Sequence, residues 1–198
     1  MLRCALHDVQ ALLNMPYSLD QLLNTIDSGQ CPKYLYFWGH QRSKSGDVTA
    51  SCFSQWWVAP FVIEDITYPT AEHWMMAQKA RLFDNEDVFK RIIAAKTPAE
   101  AKNLGRQVRG FDEARWNAQR LDIVVRGNYA KFSQHSELRE FLLNTKERVL
   151  VEASPVDRIW GIGLAADDER AANPRRWDEL NLLGFALMEV RGQLTSTM

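Results

Sequence analysis

Residues 68–80 decide the fold of this chain, and they read Tyr68-Pro69-Thr70-Ala71-Glu72-His73-Trp74-Met75-Met76-Ala77-Gln78-Lys79-Ala80. Pro69 disfavours helical geometry for the residue before it, and the Thr70 hydroxyl can accept hydrogen bonds from backbone N–H groups of a first helical turn. We therefore expect a helix to begin at Thr70. Glu72 then lies in the first turn, where the helix dipole favours a carboxylate.

One face of this predicted helix combines charged and apolar side chains. Its members follow the i, i+3, i+4, i+7 spacing and are Glu72, Met75, Met76 and Lys79. Seven residues at helical rise separate the Glu72 and Lys79 backbones by roughly 10 Å, so both side chains can reach toward one ligand. Taken alone, the stretch favours a simpler interpretation, a first-turn carboxylate and a lysine whose stem lies along a half-buried helix.

The composition is that of one globular domain. The 198 residues are 46% hydrophobic and include 7 Trp and 9 Phe, which is enough apolar material for one sizeable core. Lys and Arg number 24 against 25 Asp and Glu, for a net charge of −1. No overall positive field therefore attracts nucleic acid, while a small anionic ligand remains compatible with the sequence.

The cysteines and the N-terminus indicate the compartment. Cys4, Cys31 and Cys52 are an odd set without CxxC spacing, which predicts free thiols in a reducing environment. The N-terminal residues contain no long apolar segment, and no stretch of the sequence has the length of a membrane span. We expect a cytoplasmic protein that does not associate with membranes.

The chain is expected to consist of an N-terminal helical extension, residues 1–30, and a main domain, residues 31–198. In the extension, Ser18 can cap a helix that Gly29 ends. The apolar side chains at helical spacing in this extension are Leu19, Leu22, Leu23 and Ile26. An apolar stripe must be covered, so we expect it to pack on the main domain, with self-association into a homo-oligomer as the second option. The extension is predicted to be structural rather than catalytic.

The main domain is predicted to contain more helix than strand. Strand patterns occur at residues 33–38, within residues 53–66, where they include Trp56-Trp57-Val58, and at residues 148–153. Helix patterns occur at residues 70–80, 86–95, 97–105, 113–132, 136–143 and 180–194. Because strands do not alternate regularly with helices, we predict the α+β class, a single helix-rich domain with a small sheet.

Common catalytic motifs are missing from the sequence. The histidines lack the spacing of a metal site, and no dinucleotide, P-loop or serine-hydrolase motif occurs; the histidines are His7, His40, His73 and His135. Carboxylates, a lysine, arginines and tryptophans remain. That set suits a reaction in which a sugar carbon becomes cationic, because a carboxylate stabilises such a centre and aromatic faces stack on a base.

Other candidates have structural alternatives. Asp157 and Trp160 precede a glycine turn at Gly161 that can bring the backbone close to a ligand. The structural alternative is that Asp157 forms the turn and Trp160 anchors the core. Arg106 follows a predicted helix end, where it can hold a phosphate or answer the helix dipole. His73 is expected to be a hydrogen-bonded core or surface histidine rather than a catalytic base.

Several segments, in this order, resemble the NADAR-domain, or YbiA-like, family over residues 33–194. They are Phe37-Trp38, Phe53-Ser54-Gln55-Trp56, residues 68–80, Leu104-Gly105-Arg106, Lys131-Phe132, Leu150-Val151-Glu152, residues 157–164, Asn181-Leu182-Leu183-Gly184 and Leu187-Met188-Glu189-Val190-Arg191. The resemblance implies the YbiA-like fold and hydrolysis of an N-glycosidic bond in a ribosyl compound, without a cofactor or metal. In some members the substrate is a phosphorylated ribosylamino-pyrimidine intermediate of riboflavin synthesis, and in others it is an ADP-ribosylated nucleobase. A non-catalytic module that binds ADP-ribose or a nucleotide is the alternative from another class.

The resemblance also implies site residues. Those similar to catalytic positions are Glu72, Lys79 and Asp157. Those similar to substrate-binding positions are Phe37, Trp38, Arg106, Trp160 and Gly161. Lys79 is expected to act either through its charge or as a Schiff-base nucleophile. Two positions depart from the family pattern, Gln55 in place of a common Asn and Ile162 in place of an Asp, and both concern substrate fit before reaction type.

Overall fold

The computed structural model describes residues 17–197, which fall into two compact units. Of these residues, 55–135 form one unit, here called the helical unit. Residues 17–54 and 136–197 form the other, here called the parallel-strand unit. Cys4 and His7 lie outside the described residues, as does most of the predicted extension before the Ser18 cap.

The helices and strands follow the order of the chain. The helices are α1 (Leu19–Asp27), α2 (Ala71–Leu82), α3 (Glu86–Ile93), α4 (Pro98–Gly105), α5 (Glu113–Gln134), α6 (Ser136–Leu143) and α7 (Leu182–Ser196). The strands are β1 (Tyr34–Phe37), β2 (Phe61–Ile63), β3 (Ile66–Tyr68) and β4 (Val149–Glu152). Short 3-10 turns occupy Ala50–Phe53, Glu169–Ala172 and Pro174–Arg176. Among residues 17–197, no helix is both long and apolar enough to cross a membrane.

The helical unit begins with an antiparallel hairpin that leads into α2. Strands β2 and β3 pair with Phe61 opposite Tyr68, and the two-residue turn between them consists of Glu64 and Asp65 with φ of 52° and 61°. Positive φ at both turn residues is the geometry that follows the twist of a tight hairpin. The rings of Phe61 and Tyr68 are fully buried and stack with centroids 5.9 Å apart.

Helix α2 lies at the centre of the helical unit and packs against α3, α4 and α5. The Thr70 hydroxyl accepts a hydrogen bond from His73 N, which confirms the predicted N-cap. The prediction of one mixed face was too narrow, because residues on all sides of the helix are buried. The buried residues of α2 are Ala71, Glu72, His73, Trp74, Met75, Met76, Ala77 and Ala80.

Two glycines allow the close approach of α4 and α5 to α2. A Cβ atom at Gly105 would lie 2.1 Å from Met76 Sδ, and one at Gly127 would lie 2.2 Å from Trp74 Cδ1. Real Cβ atoms do not approach other atoms this closely, so the helix contacts require glycine at both positions. The Trp74 indole N–H donates to Ile123 O over 2.7 Å, which fixes the ring between the helices.

The parallel-strand unit is built on β4. Strand β1 pairs parallel to it, with Tyr34 opposite Val149 and Phe37 opposite Glu152. On its other side, Asn181 replaces a strand: Nδ2 donates to Leu150 O over 2.8 Å, and Oδ1 accepts from Glu152 N over 3.0 Å. Asn181 has a left-handed φ of 56° and directly precedes α7. A side-chain amide therefore completes the hydrogen bonding of this strand.

Helix α1 lies within the parallel-strand unit. The Ser18 hydroxyl accepts from Gln21 N over 3.2 Å, and Gly29 has φ of +86°, so the predicted cap and stop are both observed. Leu22 is buried, and Asp27 forms an ion pair with Arg175. Of the other residues in the predicted apolar stripe, Leu19, Leu23 and Ile26 are half-buried.

The described residues confirm the predicted α+β class, with two small two-stranded sheets and mostly helix elsewhere. The strand prediction at residues 56–58 was wrong, since this segment is irregular. Its backbone bonds to the α2 region instead: Gln55 O accepts from Glu72 N over 2.9 Å, and Ala59 N donates to Pro69 O over 3.3 Å. The aromatic residues of this segment had indicated a strand, but they pack in the core without forming one, since Trp57 is 3% exposed.

Candidate functional site

Glu72 lies in the first turn of α2 and is 2% exposed. Its backbone N–H donates to Gln55 O, so the segment before β2 supplies an acceptor that the first turn of a helix lacks. Gln55 Nε2 donates to Asn128 Oδ1 over 3.3 Å, and Asn128 Nδ2 donates to Val124 O over 2.9 Å. These hydrogen bonds connect the start of α2 to α5 and fix the backbone position of Glu72.

Lys79 lies two turns further along α2 and is half-buried. Its ammonium lies 4.4 Å from the Phe111 ring centroid and 5.8 Å from that of Trp116, within the range of cation–π attraction. Burial lowers the pKa of Lys79 below its ordinary value of 10.5, and the positive charge of Arg106 lowers it further. The amine is therefore easier to deprotonate than a surface lysine.

Arg106 is exposed and follows the last residue of α4, where Gly105 packs against Met76 of α2. Its Nη1 donates to Asn103 Oδ1 over 3.3 Å. The close helix contact at Gly105 places the guanidinium near enough to influence the Lys79 amine. Two cations that repel each other attract an anion, and a guanidinium is well suited to phosphate.

His73 has a structural role, as the sequence predicted. It is fully buried, its Nε2 lies 3.2 Å from Ala95 O, and its Nδ1 lies 2.8 Å from Thr70 Oγ1. A carbonyl only accepts, so Nε2 carries the proton and Nδ1 accepts from the Thr70 hydroxyl. Burial lowers the pKa of His73, against a smaller opposing effect of the Ala95 carbonyl. The imidazole is neutral and both its nitrogens are hydrogen-bonded.

Five of the predicted residues lie in the parallel-strand unit. Asp157 Oδ1 accepts from Ile159 N and Trp160 N, each over 2.9 Å, so its carboxylate holds the loop after β4 in shape. Trp160 is 8% exposed. A Cβ atom at Gly161 would lie 2.8 Å from Glu152 O, so this glycine is required by the contact of the loop with β4.

The remaining pair, Phe37 and Trp38, ends and follows β1. Phe37 is buried and meets Phe53 edge to face, with centroids 5.4 Å apart. Trp38 is 58% exposed. Phe37 thus serves the packing of its unit, and the exposed indole of Trp38 is the one of the pair that is available for stacking on a ligand.

Within the helical unit, the structure brings together Lys79 and Arg106, with Glu72 on the same helix as Lys79. Within the parallel-strand unit, it brings together Asp157, Trp160 and Gly161 in one loop. The sequence predictions missed Asn128, Phe111 and Trp116, which support Glu72 and Lys79, and they connected Gln55 with substrate fit rather than with the position of Glu72. Asn128 carried a usable signal, because an Asn beside a Gly on the inner face of a helix indicates a close polar contact.

Lys131 is a further unusual residue of the helical unit. It is fully buried in α5, with its ammonium 5.1 Å from the Phe132 ring centroid. Helical spacing places it on the same face as Gly127 and Asn128, which contact Trp74 and Gln55. A fully buried lysine is rare, so this face of α5 does not serve apolar packing against α2 alone. Among the residues that the structure describes, no cluster of His, Cys, Asp and Glu could hold a metal ion.

Several known proteins are similar to this chain. The N-glycosidase R617 of Acanthamoeba polyphaga mimivirus is 40% identical over 164 residues, which are 80% of this chain and 95% of that protein. The chloroplastic riboflavin biosynthesis protein PYRR of Zea mays is 37% identical over 139 residues, 67% of this chain and 20% of that protein. The NMR structure of the Escherichia coli protein YbiA superposes with a TM-score of 0.65 at 28% identity, covering 85% of this chain and 88% of YbiA.

Most of this chain matches the sequence pattern of one domain family. It matches residues 36–195, which include the end of β1, all of α2, the loop after β4 and most of α7. All the predicted site residues lie within these limits. By this match and by the similarity to its mimivirus relative, the chain belongs to the NADAR domain family.

Proposed function

We propose that this protein hydrolyses the N-glycosidic bond of a small phosphorylated ribosyl compound, with Glu72 and Lys79 at the reacting centre. Hydrolysis of N-glycosyl bonds is the reaction for which the mimivirus relative is named. The observation that carries the proposal is a buried first-turn carboxylate on the helix that also presents a half-buried lysine of lowered pKa. Such a pair is costly to bury, and perturbed groups of this kind concentrate at functional sites.

Glu72 acts on the anomeric carbon. As the C1′–N bond breaks, its electron pair leaves with the base and C1′ gains positive charge, which a carboxylate stabilises. Water supplies the new C1′–O bond, Glu72 accepts the proton that this water loses, and the departing nitrogen takes up one proton, so that H and OH are added across the C1′–N bond. A fixed position is essential for this role, and the hydrogen bond from Glu72 N to Gln55 O supports it.

Lys79 acts in one of two ways. As an ammonium, it contacts the ribosyl hydroxyls and the developing charge of the leaving base. As a neutral amine, it attacks C1′ of the ring-opened ribosyl imine, the base leaves as its protonated amine, and water hydrolyses the resulting Lys79 Schiff base to the sugar aldehyde and the free lysine. The lowered pKa of Lys79 supports the second route, and borohydride separates the two, since only a Schiff base is reduced to a stable adduct.

The substrate assignment rests on charge. Arg106 and Lys79 lie close together and favour a phosphate near the reacting sugar. A phosphorylated ribosylamino-pyrimidine intermediate of riboflavin synthesis meets this requirement, and the Zea mays relative is named a riboflavin biosynthesis protein. The net charge of −1 provides no overall positive field that would favour a nucleic-acid duplex.

The decisive experiment measures release of free base by the wild type and by Glu72→Gln. The substitution keeps the shape but removes the charge, so we expect turnover to fall by about 10²- to 10⁴-fold. Glu113→Gln is the matched control, because Glu113 is an exposed first-turn glutamate of α5, and its turnover should equal that of the wild type. A folded Glu72→Gln protein with normal turnover would reject the assignment.

The same assay, run on an ADP-ribosylated nucleobase, distinguishes the alternatives. Preference for that substrate on DNA, with a steep loss of affinity as salt rises, would replace the small substrate but keep the glycosidase chemistry. Binding of both substrates without release of base would indicate a non-catalytic module. The functional roles of Asp157 and Trp160 are separate predictions. Asp157→Asn keeps the Oδ1 acceptor that holds the loop, so a loss of turnover in that variant would show that the negative charge of Asp157 is needed.

A further inference from the structure

A cavity of about 740 Å³ lies within the parallel-strand unit, apart from every predicted site residue. Its walls come from α1, α7 and the segments 30–33 and 145–149. This volume is within the range of pockets that hold nucleotide-sized ligands. The family resemblance and the proposed glycosidase chemistry leave this cavity without a role.

Arg191 of α7 places a buried charge in the cavity wall. The residue is 8% exposed, and its Nη1 donates to Thr145 Oγ1 over 2.7 Å and to Arg148 O over 2.9 Å. Both acceptors are neutral, and no described residue accepts a hydrogen bond from Nε or Nη2. Burial lowers the pKa of Arg191, more than the nearby Tyr17 and Glu147 raise it. Its guanidinium therefore retains donors for an anion and is hydrogen-bonded to no carboxylate.

The rest of the lining combines positively charged and apolar side chains. Lys33, Lys146 and Arg148 add three cations, against the single carboxylate of Glu147. Apolar side chains of the lining include Leu22, Phe185 and Met188. A ligand that satisfies both parts carries an anionic group and a flat or apolar body.

We propose that this cavity binds a small organic phosphate with an aromatic or apolar body, at a site separate from the glycosidase centre. The phosphate lies against the free donors of Arg191 and the neighbouring cations, and the body lies against the apolar wall between α1 and α7. AMP combines the two features, and adenosine is the same molecule without the charge.

Cys31 provides a local readout, because it lines the cavity and its thiol is exposed, whereas Cys52 is fully buried. The rate of Cys31 alkylation is measured by peptide mass spectrometry with AMP, adenosine or inorganic phosphate present. We expect AMP to slow the reaction, and adenosine and inorganic phosphate to be weaker by on the order of tenfold each, since each lacks one part of the recognition. Equal protection by adenosine, equal protection by phosphate, or no protection by AMP would overturn the proposal.

Charge variants locate the site. Lys33→Gln combined with Arg148→Gln removes two exposed cations of the lining and should weaken AMP protection by on the order of tenfold, while Arg191 keeps its structural bonds. Lys44→Gln combined with Arg176→Gln removes the same charge from exposed positions outside the lining and should not change it. Arg106→Gln should also leave Cys31 protection unchanged. Equal protection in the first variant and the wild type would show that AMP binds elsewhere and would refute the proposal.

Discussion

Replacing Gly127 by alanine tests whether the close contact between α5 and α2 holds the helical unit together. The new Cβ atom would lie 2.2 Å from Trp74 Cδ1 and 2.7 Å from Trp74 Nε1. The indole is 1% exposed and its N–H donates to Ile123 O, so the ring cannot move aside without losing that bond.

The magnitude follows from three contributions. Overpacking costs about 1–3 kcal/mol, and loss of the Trp74 N–H bond in a buried site costs about another 1–3 kcal/mol. Alanine gains about 1 kcal/mol over glycine as a helix former. We expect Gly127→Ala to lower the free energy of unfolding by about 3 kcal/mol, and the melting temperature by about 6–12 °C for a chain of this size.

The assay is guanidinium unfolding followed by tryptophan fluorescence, with Gly192→Ala as the matched control. Gly192 also lies within a helix, but the nearest atom to its added Cβ is Tyr17 Oη at 3.7 Å, an ordinary contact. That variant should be more stable than the wild type by about 0.5–1 kcal/mol, because only the helix propensity changes. A Gly127→Ala protein that unfolds at the wild-type denaturant concentration would refute the packing argument.

Three further predictions concern protonation and the N-terminal extension. Because the pKa of His73 is lowered in the folded protein, the unfolded chain becomes protonated at this residue at a higher pH than the folded protein. The free energy of unfolding should therefore fall as pH drops below about 6.5. His73→Gln should remove this contribution from unfolding midpoints measured between pH 7.5 and 5.5, and an unchanged slope would contradict a neutral buried His73. Arg106→Gln removes a nearby positive charge, so the limb of the kcat–pH profile that reports Lys79 should move to higher pH, whichever form of the amine is active; a limb that stays in place would not be that of Lys79. Removal of residues 1–30 should lower the melting temperature, because Leu22 and the Asp27–Arg175 ion pair are lost, but keep turnover. A truncated protein that melts normally without turnover would show that the extension contributes to the site.

The local sequence determined where helices begin and end. The caps predicted at Ser18 and Thr70 both occur, and Thr97 and Asp112 likewise cap the helices predicted at residues 97–105 and 113–132. Each cap joins groups three residues apart, so the residue types at these positions are sufficient to specify it. The amphipathic patterns likewise predicted most helices and the α+β class, and the order of the motifs predicted the family.

Tertiary structure decided the surroundings of the site. The backbone N–H of Glu72 donates to Gln55 O, which lies in an irregular segment before β2. The ammonium of Lys79 contacts the ring of Phe111, which lies far from it along the chain. The same holds for the cavity around Arg191, whose walls come from separate parts of the sequence. These contacts depend on how elements pack, and residue type and spacing along the chain do not encode them. Local chemistry therefore identified Glu72 and Lys79 as candidates, whereas only packing set the burial of Glu72 and the pKa of Lys79.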